Sequence, residues 1–171
     1  MHERHEHEQY FFVPATAAHL AAFAARFERP CCLCAPMVGV LLGERKVSAR
    51  VLEIDERFAA TPGYLRYDLY RPRALDEAFG LILCDPPFEK VSPSQLFTAI
   101  RTLARGDYAQ PLLICYPRER ALALTSTFAP FGLVATGYHP HYQTVQAHGP
   151  EDIEFYGNLP AELHAELARG G

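Results

Sequence analysis

Phe79-Gly80-Leu81-Ile82-Leu83-Cys84, followed at once by Asp85-Pro86-Pro87-Phe88, is the stretch that most restricts how this chain can fold. The apolar run offers no polar face, as expected of a strand buried on both sides of a sheet. Two consecutive prolines cannot donate to a ladder, so pairing has to end at Asp85. Proline also keeps the preceding residue extended, which fixes the Asp85 carboxylate at the end of the strand. The Pro86 carbonyl has no helix to satisfy it, and Phe88 follows two positions later. Such a turn either grips a planar group bearing an NH2 or simply ends a strand with an N-cap aspartate. The four residues alone leave both readings open.

The rest of the chain supplies the sheet that this strand needs. Ala17 to Phe27 has helical spacing, with Leu20, Phe23, Ala24 and Phe27 on one face and Thr16 as its N-cap. Short apolar runs at Cys31–Ala35, Ser48–Ile54, Tyr64–Tyr67, Pro111–Tyr116, Leu133–Tyr138 and Ile153–Tyr156 read as further strands. Between them, Met37–Gly43, Ser94–Arg105 and Arg118–Phe128 read as helices; in the second, Leu96, Ile100 and Leu103 point inward, and Arg101 and Arg105 lie one turn apart outside. Alternation of this kind predicts an α/β fold with right-handed crossovers. The expected sheet is seven-stranded and mostly parallel, and the last two strands, with no helix between them, form a C-terminal antiparallel hairpin.

In open sheets of this class, ligands bind beyond the carboxyl ends of the strands. The residues expected there are Pro36 after the first strand, Glu53 and Asp55 after the second, Asp68 after the third and Asp85 after the fourth. Period two places Glu53 and Asp55 on the same side, and an acid ending the second strand is the usual partner of a ribose diol. The loop bearing His139, His141, Tyr142 and His148 arrives at the same rim.

Composition excludes several classes. With 171 residues, 49% hydrophobic and 21% charged, the chain is expected to form one soluble domain. No apolar stretch is long enough to span a bilayer, and the polar first nine residues argue against a signal peptide. Cysteines number five, with Cys32, Cys84 and Cys115 in core strands, which predicts reduced thiols and a cytoplasmic protein. Cys31, Cys32 and Cys34 lack the spaced pairs of a zinc site, and core packing is the expectation for them. No metal is expected at His2, His5 and His7 in a disordered polar terminus, or at the loop histidines. The formal net charge of −4 gives no global attraction to nucleic acid, although the basic residues are arginines apart from Lys46 and Lys90.

Four segments in order carry a resemblance: Glu8-Gln9-Tyr10 with Thr16; Leu52-Glu53-Ile54-Asp55-Glu56-Arg57-Phe58; Asp85-Pro86-Pro87-Phe88; and Phe155-Tyr156-Gly157-Asn158-Leu159-Pro160. Together they make the chain, from about Glu8 to Pro160, resemble Rossmann-like class I S-adenosylmethionine-dependent methyltransferases of the "probable N6-adenine methyltransferase" family. That family includes a CCHC-zinc-finger ribosomal-RNA adenine methyltransferase and an elongation-factor-1-alpha lysine methyltransferase. Leu113 to Pro117, Phe128 to Phe131 and the Tyr138-to-Gly149 loop are more similar to the RNA enzyme, although its flanking zinc-finger regions are lacking here. In place of the glycine-rich turn after strand one, this chain has Ala35-Pro36-Met37-Val38-Gly39.

The resemblance implies a methyltransferase domain over residues 9–160, a disordered start at 1–8 and a tail at 161–171. It implies Gln9, Tyr10 and Thr16 near the methionine end of the cofactor, with Ala35 and Pro36 close by. Glu53 or Asp55 would hold the ribose, and Asp68 with Leu69 the adenine. Asp85, Pro86, Pro87 and Phe88 would form the catalytic turn, with Asp85 also beside the cofactor. Phe88, Tyr116, His139 and Tyr142 would meet the substrate. The implied acceptor is an adenine amine in RNA, and the alternative is a protein lysine.

Overall fold

The computed structural model describes residues 1–3, 9–144 and 152–170. The expectations for His5, His7, His148 and the disorder of 4–8 therefore lie outside the described residues. The sheet has seven strands: β1 (Pro30–Leu33), β2 (Arg50–Glu53), β3 (Tyr64–Arg66), β4 (Leu81–Cys84), β5 (Leu112–Pro117), β6 (Val134–Ala135) and β7 (Ile153–Gly157). Their order is β3-β2-β1-β4-β5-β7-β6. The first five run parallel; β7 is antiparallel to both β5 and β6. This is the α/β arrangement expected from the alternation.

The helices are α1 (Pro14–Ala24), α2 (Pro36–Glu44), α3 (Pro93–Leu103), α4 (Ala121–Thr127) and α5 (Ala161–Arg169). The β1-to-β2 and β4-to-β5 crossovers step in opposite directions along the sheet, so right-handedness puts α2 and α3 on opposite faces. α1 packs beside α2, and α3 beside α4. The four residues of β1 and the four of β4 are all buried between these layers. Gly39 of α2 lies so close to β2 that an added Cβ would stand 2.4 Å from the Val51 side chain. α3 opens on a capping box, with Ser92 accepting from the Gln95 backbone and the Gln95 side chain accepting from the Ser92 backbone.

Several local expectations are corrected. Pro14 starts α1 with Val13 as N-cap, so Thr16 is a buried residue of the first turn. Cys34 does not continue β1: its φ of 55° turns the chain sharply into α2, doing what a glycine-rich turn does elsewhere. β2 stops at Glu53, and Asp55 caps a short 3-10 turn at Glu56–Phe58. Strand six is cut to Val134–Ala135, and the helix expected from Arg118 begins as a 3-10 turn at Arg118–Arg120. The segment expected as a tail is α5, whose Leu167 is fully buried and whose Leu167 carbonyl accepts a hydrogen bond from the His19 ring at 2.8 Å.

Candidate active site

The chain reverses its winding between β1 and β4, and a cleft opens beyond the carboxyl ends of those two strands. It encloses about 620 Å³, part of it open to solvent. Three rigid endings build its walls: Cys34 to Met37 after β1, Glu53 and Ile54 after β2, and Asp85 to Phe88 after β4. Gln9 to Phe12 cross the mouth as an N-terminal strap, and Tyr142 closes the far side. A second pocket, lined by Tyr67 to Tyr70 with Lys90 and Val91, shares Cys34, Ile54 and Pro87 with the first. The two form one trough along the rim of the sheet.

The strap is held from both directions. Val13 N–H donates to the His141 carbonyl at 2.9 Å, Gln143 N–H to the Phe11 carbonyl at 2.9 Å, and Phe12 bridges Tyr142. At the other end, Glu3 accepts the Phe11 N–H at 2.7 Å and a bond from Thr144. Arg57 joins the strap to the end of β2, donating to Gln9 Oε1 at 2.8 Å and to Asp55 at 2.6 Å.

The acids divide by environment. Glu53 is buried at 6% exposure, faces the cleft, and accepts the backbone N–H groups of Ile54 and Asp55 at 2.8 and 3.0 Å. Burial pushes its pKa up against those two bonds. Burial acts the same way on Asp55, but the bonds from the Arg57 side chain and backbone and from Gln9 outweigh it and hold Asp55 at about 2. Asp68 lines the second pocket beside Leu69 and accepts the Tyr70 N–H at 2.9 Å. The Tyr70 hydroxyl in turn donates to the Lys90 carbonyl at 2.7 Å, bridging the pocket.

Asp85 is no helix cap, since α3 starts further on with its own cap at Ser92. Its N–H still pairs with the Leu33 carbonyl at 3.1 Å, and its carboxylate accepts the Tyr142 hydroxyl at 2.7 Å. Burial pushes Asp85 up to about 7, against hydrogen bonds from Tyr142 and Cys115 and with some help from Glu53. Among the described residues the Pro86 carbonyl carries no hydrogen bond, whereas that of Pro87 is taken by Lys90 and Val91. Phe88 lines the cleft with Tyr116 edge-on behind it at 6.3 Å, and Arg120 donates to the Phe88 carbonyl at 2.5 Å.

The structure therefore brings together Gln9, Tyr10, Ala35, Pro36, Glu53, Asp85, Pro86, Pro87, Phe88 and Tyr142 in one cleft, with Asp68 and Leu69 in the adjoining pocket. Four expected residues stand outside both. Thr16 Oγ1 accepts the His141 N–H at 3.3 Å; Asp55 is turned to Arg57; Tyr116 lies behind Phe88; and a ring nitrogen of His139 bonds the Ile153 carbonyl at 3.0 Å. Sequence reasoning missed Phe11, Phe12, Cys34, Met37 and Ile54 as lining residues. Ile54 had a signal, an apolar side chain at the end of a buried strand that the structure leaves 38% exposed. Cys115 contacts Tyr142 and Asp85 across the sheet and had no local signal.

A family model described as probable N6-adenine methyltransferase matches residues 3–159. The chain belongs to that family. Among solved structures it is similar to a TehB-like SAM-dependent methyltransferase from Corynebacterium glutamicum, with 15% identity, a TM-score of 0.56, and coverage of 85% of this chain and 88% of that one. It also aligns with the glycopeptide N-methyltransferase MtfA at 16% identity, a TM-score of 0.46, and coverage of 91% and 79%. No curated protein matches the chain. The protein is an S-adenosylmethionine-dependent methyltransferase, and S-adenosylmethionine is its cofactor.

The trough fits that cofactor chemically. A buried carboxylate at the end of β2 suits a ribose diol, the Asp68 pocket offers an acceptor and apolar walls to a purine, and the strap lies over the remaining end. Among the described residues no group of histidines, cysteines and acids could hold a metal ion, and no helix is long and apolar enough to cross a membrane.

Proposed function

We propose that this enzyme methylates the N6 amine of adenine in RNA, with Asp85-Pro86-Pro87-Phe88 as the acceptor turn. The observation that carries the reading is the pairing of a cleft-facing Asp85 carboxylate with an unengaged Pro86 carbonyl, beside an aromatic ring. An exocyclic adenine amine is a weak nucleophile because its lone pair is delocalised into the ring. Hydrogen bonds from its two N–H groups to Asp85 and Pro86 localise that pair on nitrogen. Phe88 lies flat against the base and sets the line of attack. S-adenosylmethionine supplies a methyl group on a sulfonium whose C–S bond breaks as the N–C bond forms, leaving a neutral thioether. The amine becomes acidic on methylation, and its proton passes to the Asp85 carboxylate and on to water.

Glu53 is the residue assigned to the ribose, Asp68 and Leu69 to the adenine of the cofactor, and Gln9 and Tyr10, with Ala35 and Pro36, to its methionine end. RNA contacts fall to the rim arginines. Arg71 and Arg73 follow β3, and Arg118 and Arg120 follow β5, all at the carboxyl edge. Arg101 and Arg105, near the end of α3, lie at the opposite edge and are set aside.

The formal net charge of −4 favours a second reading, methylation of a lysine on a basic protein. Radiolabelled methyl transfer to fractionated RNA, DNA and protein, followed by nucleoside and amino-acid analysis, separates the two. Methyladenosine in RNA is the expected product; methyl-lysine without methyladenosine would promote the second reading.

A further inference from the structure

The Asp85 carboxylate has two neighbours that the chemistry above leaves unused. The Tyr142 hydroxyl donates to Oδ1 at 2.7 Å, and Cys115 Sγ lies 3.1 Å from that hydroxyl, near enough to the carboxylate to help lower its pKa. Both are held from far along the chain. Cys115 is fully buried in β5, paired opposite Phe155 of β7. Tyr142 is clamped by its bridge to Phe12 and by ring contact at 4.9 Å, so the strap that borders the cofactor cleft also sets the hydroxyl. Among the described residues no ion pair reaches Asp85.

We propose that Tyr142 and Cys115 are positioning residues for methyl transfer: they lock the Asp85 carboxylate in one orientation and reserve its remaining lone pairs, with the Pro86 carbonyl, for the two N–H bonds of a neutral planar amine. The inference rests on the acceptor reading of Asp85. A carboxylate without these donors turns about its last torsion, which is broad and poorly fixed by sterics. Held at Oδ1, it offers one direction, and Pro86, rigid between Asp85 and Pro87, offers the other. A neutral ring amine, with two N–H bonds, fills both. A lysine arrives as an alkylammonium with three N–H bonds, one more than the two acceptors, and has to shed a proton before it can fit or react, a step that the ring amine does not need.

The same bonds act on charge. Burial raises the Asp85 pKa, the bonds from Tyr142 and Cys115 lower it, and Glu53 raises it again. Among the described residues the titratable groups around it are Glu53 at the end of β2, Cys34 after β1, Cys84 on β4, Cys115 on β5 and Tyr142, and none of these is a cation. Loss of the tyrosine hydroxyl therefore pushes the carboxyl further toward its neutral form, in which it is a poorer acceptor.

The test is a titration of the ligand-free full chain, following the Asp85 carboxyl by ¹³C NMR with Asp85→Asn to assign the signal. Tyr142→Phe should move the midpoint up, Cys115→Ala should do so by less, and Cys115→Ser should return it toward wild type. In methyl transfer to single-stranded adenine-containing RNA, kcat of Tyr142→Phe should fall at pH 7 and recover toward pH 9. Should Tyr142→Phe not fold, the Cys115→Ala and Cys115→Ser pair carries the same comparison. An unmoved midpoint, or an activity loss equal at every pH, overturns the proposal. An active Asp85→Ala would overturn the acceptor reading itself; an inactive Asp85→Ala beside a Tyr142→Phe enzyme of wild-type titration and rate overturns this inference alone.

Discussion

The Glu53 carboxylate accepts the backbone N–H of Asp55 at 3.0 Å, and around that bond the two acids at the end of β2 face different partners. Glu53 faces the cleft, whereas Asp55 caps the next turn and is gripped by Arg57 and Gln9. Glu53→Gln should therefore weaken binding of S-adenosylmethionine and its demethylated product roughly 10-fold to 100-fold, as expected for a lost charged hydrogen bond of roughly 1.5–3 kcal/mol. Asp55→Asn acts only through the strap and should cost less. Calorimetry on both variants checks this, and a larger loss in Asp55→Asn would remove Glu53 from the ribose role.

Asp55 should show itself in acid. Its pKa stands at about 2 against an ordinary 3.8, because hydrogen bonds from Arg57 and Gln9 overcome the effect of burial. A depressed carboxylate contributes stability above its unfolded pKa and loses it as pH falls through the folded one. The advantage of wild type over Asp55→Asn in thermal unfolding should be steady above about pH 5 and fade between about pH 4 and about pH 2. An advantage that stays constant across that window would mean the ion pair does not act through ionisation.

Much of this architecture is legible in the sequence, and the failures have local causes. The buried run ending in Asp85-Pro86-Pro87 marks β4, because prolines stop a ladder wherever they occur; the switch point beside it follows only from the strand order. Period two failed at Asp55 because β2 ends at Glu53, and alternation has no meaning past the last ladder bond. Thr16 obeyed a capping rule on paper, but Pro14 began the helix earlier and the Thr16 hydroxyl serves the His141 backbone, a partner that no local pattern announces. The Cys115–Tyr142–Asp85 cluster is non-local in the same way. α5 departs from the expected tail even though it carries local signals: Leu163, His164 and Leu167 have helical spacing, Glu162 sits in the first turn and Gly170 follows Arg169.

Asp85 should trade stability for function. Burial raises its pKa to about 7, so the fold favours the neutral form. A raised carboxylate contributes stability below its unfolded pKa of about 3.8 and loses it as pH climbs through about 7. At pH 8, Asp85→Asn should therefore melt a few degrees above wild type. Asp85→Ala should lower methyl transfer by roughly 100-fold or more, the scale of a lost preorganised acceptor or donor, with cofactor affinity within a few fold. Wild-type transfer should rise with pH up to about 7 and then level as the carboxylate ionises. A flat profile from pH 5 to pH 8 would argue against an ionised Asp85 at the acceptor.

RNA recognition by a chain of formal charge −4 has to be local, and the rim is where its cations meet the acceptor turn. Arg120 is tied to the Phe88 carbonyl and lies over the Tyr116 ring at 5.1 Å, so a phosphate bound there would sit beside the base-stacking residue. Each phosphate neutralised on a single strand adds roughly 0.7 to the slope of log affinity against log salt. If Arg71, Arg73, Arg118 and Arg120 all meet phosphates, the slope should lie near −3, and removing one arginine should make it shallower by roughly 0.7. Phe88→Ala should lose roughly 1–3 kcal/mol of base stacking while leaving the slope unchanged, because it removes no charge. Binding measured from 50 to 300 mM salt tests both parts, and a Phe88→Ala variant with altered slope but unaltered affinity would contradict the assignment of that ring to the base.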